Sequence, residues 1–290
     1  MTPQGASTTA VLVCQGRAVA DGRLGVGRFA DPVAVRLLDP AEREVVERVR
    51  AGRTPGAPWG MAEEMVLHTA ATMVPRTVAI DDAVREHRSG QVVVLGAGLD
   101  ARAWRMPELE TATVFEVDHP ASQADKQRRV AGLEPVAGRV VPVVVDLAND
   151  PLATALTAAG LDESAPTTWV WEGVVPYLTR DAVASTLVQL AVLSAPGSRL
   201  VVQYQQRSVV ATTLRAAMRL ALRVARRPDP LAREPWHTLL TPDELGLVLR
   251  PCGFSISSDH SLLELADGMD LPGRRDGSLG NGRVAVAERA

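Results

Sequence analysis

The chain has 290 residues, 46% of them hydrophobic, with 31 basic and 34 acidic side chains and a formal charge of −3. That length supports one large core, and the near-balanced charge disfavours nucleic acid and anionic membranes as partners. Two cysteines, Cys14 and Cys252, lie far apart with no companion ligand at metal spacing, which argues against a disulfide scaffold and a metal site.

In chain order, the apolar residues 10–14 and Ala18-Val19-Ala20 imitate a cleavage site. The stretch lacks a basic leader and is interrupted by Gln15 and Arg17, so no signal peptide is expected. No run reaches the roughly 20 apolar residues of a membrane helix, and a soluble cytoplasmic protein is expected. Up to residue 89 the apolar spacing is helical, in 33–38, 45–49, 61–73 and 78–84, punctuated at Pro32, Pro40 and 52–58.

The pattern then changes. Residues 91–95 (Gln-Val-Val-Val-Leu) form a short β-branched run with no polar face, as in a strand buried on both sides of a parallel sheet. Similar runs recur at 113–117, 140–145, 168–171 and 199–203, separated by helix-forming stretches such as 121–131 and 182–193. Alternation of this kind predicts a doubly wound α/β sheet, with ligands at the carboxyl ends of its strands. Residues 208–227 read as an amphipathic helix with Arg215, Arg219, Arg223 and Arg227 at four-residue spacing. This is either a solvated face or one that meets an anionic substrate or a carrier protein. Thr241-Pro242-Asp243-Glu244 is a capping box that starts a helix. Strand candidates 254–259 and 283–288 follow as an antiparallel pair at a sheet edge, with a surface loop at 267–282. The expected organisation is one domain: a helical cap at 1–89, a core at 90–206, a lid at 207–240, and a C-terminal helix and strand pair at 241–290.

Four successive strand ends carry candidate chemistry. Gly96-Ala97-Gly98-Leu99-Asp100 follows the first strand, where glycine allows a sharp turn and close backbone approach to a ligand. Asp118, twenty residues beyond Gly98, is placed to accept from both ribose hydroxyls of an adenosyl ligand. Asp146-Leu147 ends the third strand, the carboxylate suited to an adenine amino group and the leucine to its face. Glu172 follows the fourth. Each alone reads as a turn residue or helix cap; four in register point to a nucleoside site.

These motifs resemble the leucine carboxyl methyltransferase-like family: Val-Leu-Gly-Ala-Gly-Leu-Asp-Ala-Arg at 94–102, Phe-Glu-Val-Asp-His-Pro at 115–120, Trp-Glu-Gly-Val-Val-Pro-Tyr-Leu at 171–178, Pro-Arg-Thr-Val-Ala-Ile-Asp-Asp at 75–82, and the strand around Gln203-Tyr204. The resemblance implies a seven-stranded, mostly parallel Rossmann-like methyltransferase fold with a helical N-terminal addition and a helical lid. It implies S-adenosylmethionine as cofactor: Arg76 clamping its carboxylate, Gly96, Ala97 and Gly98 against it, Asp118 on the ribose, Asp146 and Leu147 at adenine, and Glu172 near the methionyl part. Eukaryotic members carry a lysine near the N-terminus that Gln15-Gly16-Arg17-Ala18 lacks, so the resemblance assigns this region no cofactor role. An O-methyltransferase for a small-molecule carboxylate or hydroxyl is expected, in secondary metabolism. An NAD-dependent oxidoreductase and a non-catalytic cofactor-binding protein stand as alternatives. For a hydroxyl acceptor, His237 is the candidate general base; Tyr204, at the end of the fifth strand, is a further catalytic candidate with its hydroxyl toward the substrate, and His68, His87 and His260 are assigned to structure.

Overall fold

A computed structural model describes residues 7–52, 60–207, 236–271 and 277–290. The expected lid lies largely outside the described residues, as does the arginine-spaced segment 208–227.

The β-branched runs become strands: β1 (Gln91–Leu95), β2 (Thr113–Asp118), β3 (Arg139–Val144), β4 (Thr167–Trp171), β5 (Arg199–Gln205), β6 (Phe254–Ser261) and β7 (Gly282–Arg289). They form one seven-stranded sheet in the order β3-β2-β1-β4-β5-β7-β6. The pairings among β1 to β5 are parallel, and β7 runs antiparallel to both β5 and β6. The last two strands are therefore antiparallel partners at an edge, as expected, but the final strand sits inside its predecessor. Strand order reverses between β1 and β4, which opens a crevice beyond their carboxyl ends.

Side-chain alternation divides the core into two layers. Val92, Val94, Val170 and Val201 face the N-terminal helices α1 (Thr8–Ala20), α2 (Pro40–Ala51) and α3 (Met61–His87). Val93, Leu95, Trp169, Trp171, Leu200 and Val202 share the other core with α6 (Leu152–Ala158), α7 (Arg180–Leu193) and α8 (Pro242–Leu249). The short helix α4 (Arg102–Arg105) follows β1, and α5 (Pro120–Val130) follows β2. Short α9 (Leu262–Leu265) and α10 (Gly277–Asn281) lie between β6 and β7.

Two readings change with the structure. Run 140–145 is not buried on both faces: β3 is an edge strand, and Pro142, which has no N–H to donate, occupies it. The separate apolar stretches 61–73 and 78–84 are one helix, α3, with Pro75 inside it. That proline leaves the Ala71 carbonyl without its helical donor one turn before Arg76. The stretch that imitated a cleavage site is α1, whose residues Cys14 to Ala20 are buried. It packs tightly on α3: a Cβ on Gly16 would lie 2.8 Å from Thr69 Cγ2 and 3.1 Å from the Ala70 nitrogen.

Candidate functional site

The chain leaves β1 through two glycines in the left-handed region, Gly96 (φ +65) and Gly98 (φ +47). At Gly96 a side chain is barred twice, by the backbone angle and because a Cβ would run into Val174 Cγ2. Asp118, at the end of neighbouring β2, fastens the turn: Oδ2 accepts from the Gly98 N–H at 2.6 Å and Oδ1 from the His119 N–H at 2.7 Å. Each oxygen keeps a lone pair for a further donor. Burial raises the Asp118 pKa, with both N–H bonds working against the rise.

At one end of the resulting cavity stands Asp146. Its Oδ1 accepts from the Ala148 N–H at 3.0 Å and its Oδ2 from the Asn149 side-chain amide at 2.8 Å. These two bonds, that of Asn149 first, hold its pKa below the ordinary value. Asp146 is thus both the turn residue its sequence context suggested and a wall of the cavity, beside Leu147.

At the other end Arg76 and Glu172 face each other, each with 9% of its side chain exposed, Nε to Oε1 at 2.7 Å. Sequence separation hid this contact, and also what surrounds it. Arg102 lies 2.8 Å from the second Glu172 oxygen and pairs with Asp100 and Asp81. Arg17 of α1 ion-pairs with Asp31 at 3.0 Å and donates from Nη2 to the Leu99 carbonyl at 2.5 Å. The segment given no cofactor role in the sequence therefore reaches the cavity, because Arg17 lines it. Burial raises the Glu172 pKa less than Arg76 and Arg102 lower it, so the carboxylate stays ionised. Burial also lowers the pKa of Arg76, and repulsion from Arg17 and Arg102 adds to this against the pull of Glu172. One recognisable signal was missed. Arg102 falls within the Leu-Asp-Ala-Arg motif, where an arginine in an apolar frame beside an aspartate marks a buried ion pair.

Beyond β4 and β5 the cavity is bounded by Tyr177, Gln205, Trp236 and His237. His237 is held by its backbone, which donates to the Pro176 carbonyl at 2.7 Å, and Thr238 Oγ1 donates to Leu178 at 2.6 Å. Tyr204 is not there. Gln203 and Gln205 point to the cavity, so alternation along β5 sends Tyr204 into the opposite core, where its hydroxyl donates to Asp259 at 2.6 Å. Gln203 instead accepts from the Gly173 N–H at 3.0 Å and steadies the turn after Glu172. Of the histidines assigned to structure, His87 bridges Thr168 and Gly197, at 2.7 Å to each.

The residues fit an adenosyl amino-acid ligand. A cavity of about 540 Å³ is lined by the glycine turn, Asp118, Asp146, Leu147, Arg76 and Glu172. Both Glu172 oxygens and Arg76 Nε are buried and charge-paired, yet none makes a directional hydrogen bond. A ligand bearing an ammonium and a carboxylate would complete both groups. The sheet order also departs from the 3-2-1-4-5-6 order of dinucleotide-binding domains by its inserted antiparallel β7.

Residues 10–191 match the leucine carboxyl methyltransferase family. A protein of Mycolicibacterium paratuberculosis, provisionally named S-adenosyl-L-methionine-dependent methyltransferase, is 37% identical over 205 residues, covering 67% of this chain and 62% of the relative. A Streptomyces coelicolor protein with the same provisional assignment is 36% identical over 222 residues, 72% of each chain. The chain thus spans about 62% of the length of the first of these curated relatives. Among solved structures, a DUF574 family protein from Streptomyces avermitilis superposes with a TM-score of 0.58 at 15% identity, covering 98% of both chains. The chain belongs to the leucine carboxyl methyltransferase family, a family of S-adenosylmethionine-dependent enzymes.

Proposed function

We propose that this chain is an S-adenosylmethionine-dependent O-methyltransferase acting on a carboxylate or hydroxyl of a small molecule, in cytoplasmic secondary metabolism. The observation that carries this reading is the single cavity with Arg76 and Glu172 at one end, Asp118 in the middle and Asp146 with Leu147 at the other. When bound, S-adenosylmethionine supplies a methyl group activated by its sulfonium.

The chain's own residues then have three tasks. Arg76 and Glu172 receive a carboxylate and an ammonium, and Asp118 receives ribose hydroxyls; together they orient the ligand along the crevice. Helix α1, tied down by Arg17 to the glycine turn, excludes water from that side. His237 stands at the acceptor end and takes the proton of a hydroxyl acceptor, whereas a carboxylate acceptor needs no base. An anionic or carrier-bound acceptor suits the arginine-rich segment 208–227.

Calorimetry with S-adenosylmethionine, S-adenosylhomocysteine and NAD tests the cofactor reading. Heat with both adenosyl ligands and none with NAD is expected; tight NAD binding with no response to the adenosyl ligands would sink it. Methyl transfer to a panel of carboxylic acids and hydroxyl compounds tests the acceptor. His237→Gln is expected to slow hydroxyl acceptors by about 10²-fold or more and to leave carboxylates within a few-fold.

A further inference from the structure

Arg102 is buried behind the cavity, with 2% of its side chain exposed, and forms no part of the lining. Its guanidinium meets carboxylates from three elements. Nε lies 2.8 Å from Asp81 of α3, and Nη1 contacts Asp100 of the glycine turn and, at 2.8 Å, Glu172 after β4. Arg105 holds the other side of Asp81 at 2.7 Å. Close pairing is what offsets the desolvation cost of charges at this depth, so one cation fixes three acids from separate parts of the chain.

The effect falls on Arg76. A guanidinium and a carboxylate left to themselves form a fork of two parallel N–H···O bonds. Glu172 and Arg76 do not: Oε1 is 2.7 Å from Arg76 Nε, while Oε2 is held at 2.8 Å by Arg102. The carboxylate is spread between two cations, and the Nη groups of Arg76 are left for another anion at the cavity it lines.

We propose that Arg102 is a positioning residue: by holding the second oxygen of Glu172 it prevents the Arg76–Glu172 fork and keeps the pair open as a reader of a zwitterion. Arg76 reads the carboxylate and Glu172 the ammonium. This rests on the reading that the cavity holds an adenosyl amino-acid ligand. Without Arg102, Glu172 closes on Arg76 and the two neutralise each other where the ligand's amino-acid end should bind. Asp118 and Asp146, which make no contact with Arg102, keep their own hydrogen bonds.

Calorimetry on the full chain separates these ends by comparing S-adenosylhomocysteine with 5′-methylthioadenosine, which lacks the amino-acid end. Arg102→Lys keeps the charge but, as a compact ammonium, does not span three acids. It is expected to weaken S-adenosylhomocysteine about tenfold or more while 5′-methylthioadenosine stays within about twofold. Unchanged binding of both ligands, or equal weakening of both, overturns the proposal. Should the lysine variant fail to fold, Asp81→Asn removes one anchor of Arg102 from outside the cavity, and the same selective loss is expected under the same overturning outcomes. An unaltered chain that binds neither ligand overturns the cofactor reading itself, and is distinguishable because it involves no substitution.

Discussion

Asp118 and the pair Arg76–Glu172 do different work at the scale of the single residue. Asp118 closes the glycine turn with two backbone bonds and still has lone pairs to offer. Asp118→Ala is expected to weaken S-adenosylhomocysteine by about 1.5–3 kcal/mol, the range of hydrogen bonds to a charged group, as measured by calorimetry. Glu172 and Asp100 contribute to the acid limb of stability. Both are pushed up by burial but held below the usual carboxylate range by their arginine partners, Arg76 for Glu172 and Arg102 for Asp100. The folded state releases these protons more readily than the unfolded chain does. Their stabilisation is therefore complete above about pH 5 and is lost as pH falls through the lowered values. Urea midpoints measured downward from pH 5 are expected to drop, and a flat profile to pH 2 would contradict this. The acids at strand ends were legible in the sequence because each follows a β-branched run. Arg17 was not, because its ion pair with Asp31, 14 residues away, leaves no periodic trace; for Arg102 the neighbouring Asp100 was in view, but Glu172, 70 residues on, was not.

At the scale of elements, the strands were legible to within a residue or two, β1 and β4 because a fully buried run has little latitude. Tyr204 shows the limit: its strand was correct, but β5 is buried on both faces through its middle, so the polar side with Gln203 and Gln205 meets the cavity and the apolar side with Leu200, Val202 and Tyr204 meets the opposite core. The N-terminal helices were visible as helices, yet nothing in their spacing placed α1 over the crevice. That placement depends on close packing with α3, and Gly16 permits it. Gly16→Leu is expected to cost about 1–3 kcal/mol by overpacking and, by lifting Arg17 from Leu99, to weaken adenosyl-ligand binding as well. Thermal unfolding and calorimetry on one sample check both. Loss of stability with intact affinity would show that α1 is only a buttress.

For the whole molecule, the cavity joins the two halves of the fold: α1 and α3 from one layer, strand ends from the sheet, and the segment at 236–237 from beyond β5. A ligand that bridges these parts stabilises all of them. At a hundredfold excess over its dissociation constant, S-adenosylhomocysteine is expected to add about 2.7 kcal/mol to unfolding, seen as a rise in melting temperature that NAD does not produce. An equal rise with NAD would favour the dinucleotide alternative.

The placement of β7 has a consequence for how the molecule comes into being. β5, whose Leu200, Val201 and Val202 are almost wholly buried, is covered on its outer edge by β7 alone, and β7 follows every other strand in chain order. A ribosome delivering this chain therefore presents an open, apolar sheet edge for the entire interval between the synthesis of residue 205 and that of residue 289. Such an edge invites pairing with a neighbouring nascent chain, so loss of β7, Gly282–Arg289, is expected to be felt first as aggregation and only secondarily as lost binding.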